Sequence, residues 1–243
     1  MRRLLPVLTL LACSSTRPIL PERPLTLPAP ETRAVVVVRV PAPWWAPRFA
    51  ITSKFVDAIP EYAVAPGLAY KAFTVSEDGR FGGVYLWDSR SVAEGWFDEK
   101  WHARVRKVRG VDGEVRVLDA RFTVPGPAVP QGKALPMHGL RTDAFVVWAW
   151  SVTAVAPEET ESRLRALAEV HALPPGLLRV SFVSEPEGRL GAVSLFTSRA
   201  EARTFWSAER LASAGAAIGA KLEVTGFDAP VLLDAAAAKQ DLR

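Results

Sequence analysis

The chain has 243 residues, 49% hydrophobic and 23% charged, a globular balance with enough apolar material for one large or two small cores. The formal net charge is +4, but no basic run or Lys/Arg stripe with interleaved aromatics accompanies it, which excludes the electrostatic footprint of a nucleic-acid binder. The only cysteine, Cys13, leaves no disulfide framework and no thiolate metal cluster.

Met1-Arg2-Arg3 is a charged start, and Leu4 to Ala12 is a nine-residue apolar run. A bilayer span needs roughly 20 apolar residues, so residues 1–12 are predicted to be an export signal and not a transmembrane helix. Leu10-Leu11-Ala12-Cys13 resembles the lipobox of bacterial lipoproteins. That resemblance implies cleavage before Cys13 and acylation of its thiol, which tethers a protein without a spanning helix. The alternative is an ordinary signal peptide with a chance cysteine. Ser14, where an Asp would retain the protein at the inner membrane, favours an outer-membrane anchor facing the periplasm. Loss of Arg2 and Arg3 lowers the basic count from 30 to 28, against 26 acidic residues. Residues 13–33 carry Pro18, Pro21, Pro24, Pro28 and Pro30 and read as an extended linker.

The chain then repeats itself. Pro66-Gly67-Leu68 recurs as Pro175-Gly176-Leu177, an offset of 109. The same offset relates Phe73 to Phe182, Gly79-Arg80 to Gly188-Arg189, Gly82 to Gly191, Val84 to Val193, Leu86 to Leu195, Ser89-Arg90 to Ser198-Arg199 and Ala93 to Ala202. Over residues 66–97, 12 of 32 positions are identical without a gap; chance gives about two. A period this long means a duplicated domain, not a solenoid.

Residues 34–125 form the first unit, 126–142 a linker, 143–234 the second unit and 235–243 a tail. In the first, residues 34–40 are an apolar β-branched strand and residues 48–62 a helix with Phe49, Phe55, Val56 and Ile59 on one face. Strands over 68–75 and 80–87 are joined by Glu77-Asp78-Gly79, where Asp-Gly suits a two-residue hairpin turn. A helix over 89–108, capped by Asp88 or Ser89, and a strand over 114–123 complete the unit. The second unit repeats this with strands over 144–154, 177–184, 189–196 and 222–227 and helices over 157–173 and 198–217. Pro157, Glu158 and Glu159 suit the first turn of its first helix. The order β-α-β-β-α-β is ferredoxin-like, and the fold class is α+β.

A two-residue turn at Asp78-Gly79 pairs Lys71 with Leu86 and Phe73 with Val84. One sheet face is then Phe73, Val75, Val84 and Leu86, with Phe182, Val193 and Leu195 in the second unit, and packs on the helices. The other face carries Tyr70, Thr74, Tyr85 and Trp87, then Arg179, Ser181, Ser194 and Phe196. Aromatic side chains suit a solvated surface poorly. The two sheets are therefore expected to face each other as an intramolecular dimeric α+β barrel, with polar tips pointing into a ligand cavity; two separately solvated sheets are the alternative.

The segments Gly67-Leu68-Ala69-Tyr70-Lys71-Ala72-Phe73, Gly82-Gly83-Val84-Tyr85-Leu86-Trp87-Asp88-Ser89, Ala93, Trp96-Phe97, Trp101 and Ala103-Arg104-Val105 resemble the YdhR-like monooxygenase family of the dimeric α+β barrel group. The likeness covers nearly all of residues 34–124. The second unit resembles the pattern more faintly, including Phe227-Asp228-Ala229-Pro230-Val231-Leu232-Leu233-Asp234. Members are single units that dimerise, so the resemblance implies an internal pseudo-dimer in a monomeric chain. It also implies oxygenation of an electron-rich aromatic substrate without a cofactor. The second unit departs from the pattern, with Val180 for Lys71, Ala192 for Gly83, Ser194 for Tyr85 and Arg210 for Trp101.

Such chemistry needs aromatic walls and one base or cation. Lys71, Tyr85 and His102 are the candidate catalytic residues; Tyr70, Thr74, Trp87, Arg179, Ser194 and Phe196 are the candidate substrate-binding set. Lys71 has a blander reading, its stem covering apolar surface while the ammonium reaches water. A lone helical His102 is commonly a surface residue. His138 falls in the linker, and His171 ends a helix; it would be the axial ligand if the barrel held haem, which nothing else supports. The three histidines have no metal-type spacing, and no Gly-rich phosphate loop or nucleophile elbow is present. Trp44-Trp45 reads as packing material, and Trp148 and Trp150 as sheet-face residues. The expected function is a lipid-anchored, monooxygenase-like protein binding a small aromatic or quinol-like molecule in its barrel. A catalytically silent ligand-binding or scaffold lipoprotein of the same fold is the alternative.

Overall fold

The computed structural model describes residues 33–42, 47–129 and 141–235. The signal segment with Cys13, the proline-rich linker, Trp44-Trp45 and His138 lie outside them. Among the described residues no helix is long and apolar enough to cross a membrane.

The first unit runs β1 (Ala34–Pro41), α1 (Arg48–Ala63), β2 (Leu68–Ser76), β3 (Arg80–Trp87), α2 (Arg90–Trp96), α3 (Glu99–Arg109) and β4 (Glu114–Pro125). The second runs β5 (Arg141–Ser151), a 3-10 turn (Pro157–Glu159), α4 (Thr160–Val170), β6 (Leu177–Ser184), β7 (Leu190–Phe196), α5 (Arg199–Phe205), α6 (Ala208–Ile218) and β8 (Leu222–Asp234). The strands close into a barrel in the order β1-β3-β2-β8-β5-β7-β6-β4. Every neighbouring pair is antiparallel, and β4 pairs with β1. Each unit supplies one four-stranded ferredoxin-like sheet, and the seams β2–β8 and β4–β6 join the two. The chain is thus an α+β fold of two tandem units forming one dimeric-type barrel.

Closure lengthens β8 well beyond the predicted 222–227, because Val231 to Asp234 pair with Phe73 to Tyr70. Each seam carries one register shift, at Phe73/Val75 and at Ala120/Phe122. Pro230 falls in the first of these, where a residue without an N–H leaves no ladder bond unmade. The strands are covered on both faces over most of their length, with Glu223 and Val224 of β8 exposed. Side chains fill the interior, among them Val35, Leu86, Trp148, Leu195 and Phe227. The outer faces pack under the helices.

The β2–β3 turn differs from the expected one. Three residues, Glu77, Asp78 and Gly79, separate Ser76 from Arg80; Gly79 has φ +76°, and its N–H donates to the Ser76 carbonyl at 3.2 Å. This is a three-residue loop with glycine in the left-handed position. The second unit repeats it at Gly188, φ +85°. Lys71 therefore pairs with Tyr85, Ala72 with Val84 and Phe73 with Gly83. A one-residue slip moves a strand's side chains to the opposite face. Tyr70, Ala72, Val84 and Leu86 point into the barrel, whereas Lys71, Phe73, Tyr85 and Trp87 point outward under the helices. The expected interior positions of Tyr85 and Trp87, and of Ser194 and Phe196 in the second unit, are thereby corrected.

The single helices expected over 89–108 and 198–217 are each broken in two. Asp98 accepts the Trp101 N–H at 2.9 Å, and Ser207 accepts the Arg210 N–H at 3.3 Å. A side-chain oxygen that caps the next helix competes with continuation of the previous one. The two breaks are related by the same 109-residue offset.

The glycines shared by the repeats at positions 82 and 191 have a steric reason. A Cβ on Gly82 would sit 2.0 Å from the Val38 carbonyl oxygen, and one on Gly191 would sit 2.2 Å from that of Ala149. Both obstacles are backbone of the adjacent strand. Gly82→Ala and Gly191→Ala should each lower unfolding free energy by about 1–3 kcal/mol, read from urea denaturation. A loss below about 0.5 kcal/mol would show that β1 and β5 can move aside at little cost.

Candidate functional site

The barrel interior is not where space lies. The cavity bounded by Tyr70, Ala72, Val84, Arg179, Ser181 and Leu195 has a volume of about 30 Å³, room for about one water molecule. Tyr70 lies under the Arg179 guanidinium at 4.6 Å, and the Ser181 hydroxyl meets Thr123 at 2.9 Å. Thr74 alternates to this side and is buried. These three candidates belong to a packed core.

The large cavity of the first unit lies on the other face of the sheet, between β1, β2 and β3 and the helices α1 and α3. Its volume is about 620 Å³, within the usual range for small-molecule sites. Lys71 and Phe73 from β2 and Tyr85 and Phe81 from β3 bound the sheet side, Phe55, Ala58 and Tyr62 bound α1, and Trp101, Val105 and Val108 bound α3. The i, i+3, i+7 spacing of Phe55, Ala58 and Tyr62 puts all three on one face of α1. Trp101 is aimed inward by the Asp98 cap that starts α3.

Lys71 is the only charged-type side chain on the sheet side of this cavity. β2 is flanked by β3 and β8, and α1 crosses above it, so the stem cannot carry the amine to water: Lys71 is 2% exposed. Its Nζ lies 3.0 Å from the ring centroid of Tyr62, 3.8 Å from that of Phe73 and 4.6 Å from that of Tyr85. Desolvation holds its pKa well below the ordinary lysine value; the charge of Glu61 opposes this only partly. A cation–π contact is worth about 2 kcal/mol or more when desolvated, and burying an ammonium costs several. Burial shifts the balance toward the neutral amine, which is the basic form. Burial also raises the pKa values of Tyr62 and Tyr85, whose hydroxyls share a hydrogen bond, so both phenols remain protonated donors.

Of the sequence candidates, only Lys71 and Tyr85 meet in this cavity. Trp87 is fully buried nearby, against Trp96 at 5.6 Å and Phe97 at 6.1 Å, as core. His102 lies outside, its ring edge-on to Trp101 and its Nδ1 3.9 Å from Asp112. Tyr62, Phe55, Phe81 and Trp101 were not singled out as site residues; the first-helix pattern and the Trp101-to-Arg210 difference between repeats were the available signals.

In the second unit the same space is closed. At the 109-residue offset Leu164 replaces Phe55, Leu167 replaces Ala58, His171 replaces Tyr62, Val180 replaces Lys71 and Ser194 replaces Tyr85. His171 Nε2 meets the Ser194 hydroxyl at 3.1 Å and Nδ1 meets the Ala172 carbonyl at 3.1 Å. Phe182, Phe205 and Trp206 surround the ring, and burial lowers its pKa to about 4. Phe196 packs on Phe205 at 5.7 Å. Ser194 and Phe196 thus serve this sealed core, and both His171 nitrogens, considered above for haem, are already engaged. Among the described residues no three His, Cys, Asp or Glu side chains converge as metal ligands.

No protein-family model and no curated protein matches the sequence. Solved structures do match in fold. A candidate monooxygenase from Fusobacterium nucleatum superposes with a TM-score of 0.59 at 10% identity, over 84% of this chain and 95% of the other. An anthrone oxidase-like protein gives 0.56 at 14% identity, over 85% and 94%. A candidate monooxygenase from Lactobacillus acidophilus gives 0.54 at 6% identity, over 84% and 97%. The chain shares with these proteins the dimeric α+β barrel, here built from two unequal halves.

Proposed function

We propose that the helix–sheet cavity of the first unit binds a small aromatic or quinol-like molecule and that Lys71 is its base, in a monooxygenase-like reaction of the YdhR-like type. The observation that carries this reading is the buried Lys71 amine, its pKa lowered by desolvation, bordering a cavity of about 620 Å³ among Tyr62, Phe73 and Tyr85. Aromatic walls favour a flat ring. A neutral amine at such a site takes a proton from a phenol, or from a benzylic C–H beside a carbonyl. The ammonium so formed then pairs with the substrate anion where little water screens them. Tyr85 donates its hydroxyl to Tyr62, which leaves the Tyr62 hydroxyl as the donor for the developing oxyanion.

With dioxygen as co-substrate, a benzylic carbanion adds oxygen to give a peroxide, and the Lys71 ammonium returns the proton. Loss of water from the hydroperoxide leaves a ketone, so one oxygen atom ends in the product and the other in water. The fold neighbour described as anthrone oxidase-like makes this CH2-to-ketone oxidation the first to try. Binding without oxygen consumption is the outcome that favours the catalytically silent reading.

The purified full chain should take up oxygen with anthrone or a naphthol-type substrate, faster as pH rises through the lowered Lys71 pKa. Lys71→Met should abolish uptake while still binding the neutral ring, followed by quenching of tryptophan fluorescence. Uptake by Lys71→Met at the wild-type rate would remove Lys71 from the chemistry.

The same burial sets a stability signature. Between the lowered folded pKa of Lys71 and its ordinary value of 10.5, the unfolded chain binds a proton that the folded chain does not. Stability therefore rises with pH across that window and falls as pH drops through it. Lys71→Met should lack this component and be more stable near neutral pH, by about 1–3 kcal/mol for an unsatisfied buried polar group plus the free energy of giving up the lysine's proton there. Parallel urea curves for the two proteins at several pH values, with a constant difference between them, would contradict a neutral buried amine.

We further propose that a lipid on Cys13 holds the monomeric chain to the bacterial cell envelope, at the outer membrane facing the periplasm. Cys13→Ser should move the protein from the membrane fraction to the soluble one. Unchanged membrane association would refute lipidation as the tether.

A further inference from the structure

Four basic side chains line the cavity of the first unit and no acidic one does. Lys71 is buried. Lys54, Arg104 and Arg109 are exposed and form the rim. Two of the rim cations have acidic neighbours outside the lining: Lys54 Nζ lies 2.9 Å from Asp57, and Arg104 lies 3.8 Å from Glu61. Arg109 is different. Its guanidinium stacks over the Phe81 ring at 4.9 Å, and no carboxylate among the described residues pairs with it. Stacking on a ring fixes the plane of a guanidinium while leaving its N–H edge available for two parallel bonds to a planar anion.

The duplication supplies a second observation. Arg109 ends α3 just before Gly110, and the 109-residue offset places Ile218 before Gly219 at the end of α6. Both glycines adopt the left-handed cap conformation, so the two helix ends are structurally equivalent. Ile218 is 1% exposed and packs in the closed core. The cation is present at the helix end that borders a cavity and absent at the one that does not. Helix-end electrostatics favour a cation equally at both ends. Burial sets Ile218 apart, and at the exposed equivalent in the first unit the side chain that reaches the cavity mouth is a cation.

We infer that the ligand carries an ionised carboxylate at the end opposite its reacting group, held at the cavity mouth by Arg109. This rests on the first-unit cavity being a site for an aromatic molecule. The ring lies among Tyr62, Phe73 and Tyr85, its acidic hydroxyl or C–H faces Lys71, and its carboxylate meets the stacked guanidinium. A neutral amine inside and a permanent cation at the mouth also fix the order of entry. The carboxylate is repelled from the apolar wall and retained at the rim, so the ring enters first.

The test uses the full chain with three rigid probes: 2-naphthol, 6-hydroxy-2-naphthoic acid and the methyl ester of that acid. Affinities come from titration followed by tryptophan fluorescence. The acid should bind at least about tenfold more tightly than the ester, the scale of one charge-assisted bidentate contact. Raised salt should narrow that gap. Arg109→Gln should bring the acid to the level of the ester and leave the ester and naphthol unchanged; Arg109→Lys should keep only part of the preference. Arg109 is exposed, and an unchanged melting temperature for Arg109→Gln would show that the variant is folded. Equal binding of acid and ester by the wild type, or equal weakening of both by Arg109→Gln, overturns the carboxylate assignment while leaving the aromatic site standing. Failure of all three probes to bind overturns the aromatic site and this inference with it.

Discussion

Gly79 closes the β2–β3 hairpin with φ +76°, so that three residues stand between Ser76 and Arg80. The three-residue length of that loop determines which face the side chains from Tyr70 to Leu86 occupy. With Lys71 opposite Tyr85, the amine and the phenol point together toward α1 and α3. With a two-residue turn, one of them would enter the barrel and the other would not. The barrel interior could not use either, because its cross-section is filled by Val35, Val84, Leu86, Val146, Val193 and Leu195. The cavity therefore depends on the turn, and the turn depends on a residue that tolerates the left-handed region.

The barrel relates two units that differ in purpose. Both seams are antiparallel ladders, each with one register shift, so neither half has a free sheet edge within the barrel. Once the halves are covalently joined, only one need keep a cavity. In the second half Leu167 fills space that Ala58 leaves open, and His171 with Ser194 occupies the place of the two tyrosines. A sealed core adds buried area and packing; an open one sacrifices both. The chain combines one stabilising half with one half whose interior remains accessible.

The fold was legible because the repeat preserves what a fold needs: turn glycines at 79 and 188, close-approach glycines at 82 and 191, and cap residues at 89 and 198. The register was not legible. Asp-Gly serves two-residue and three-residue loops alike. The usual arbiter, alternation of apolar and polar residues, was missing because both faces of these strands are buried. The helix breaks at Asp98 and Ser207 were visible as polar residues within an amphipathic run, but a solvent-facing residue gives the same pattern. Lys71 was legible as an anomaly whichever face it took. Tyr62 and Arg109 were not: each comes to line the cavity only when α1 and α3 are laid over the sheet.

Each half of the barrel buries one basic group whose protonation burial disfavours, and the comparison between them separates structure from function. His171 loses its proton to burial but keeps a hydrogen-bond partner on each ring nitrogen. Such a group costs little once neutral, because its polar atoms are satisfied. Lys71 is also pushed toward its neutral form, but its amine faces the rings of Tyr62, Phe73 and Tyr85, which are weak acceptors, and an open cavity. Folding gains nothing from an amine there that a methionine of similar length would not supply better. A costly group that strains its environment and borders free volume is the pattern expected of a functional residue. The same physical cause, burial of a base, therefore has opposite meanings in the two halves. In the second it completes a core, and in the first it leaves an amine bordering free volume.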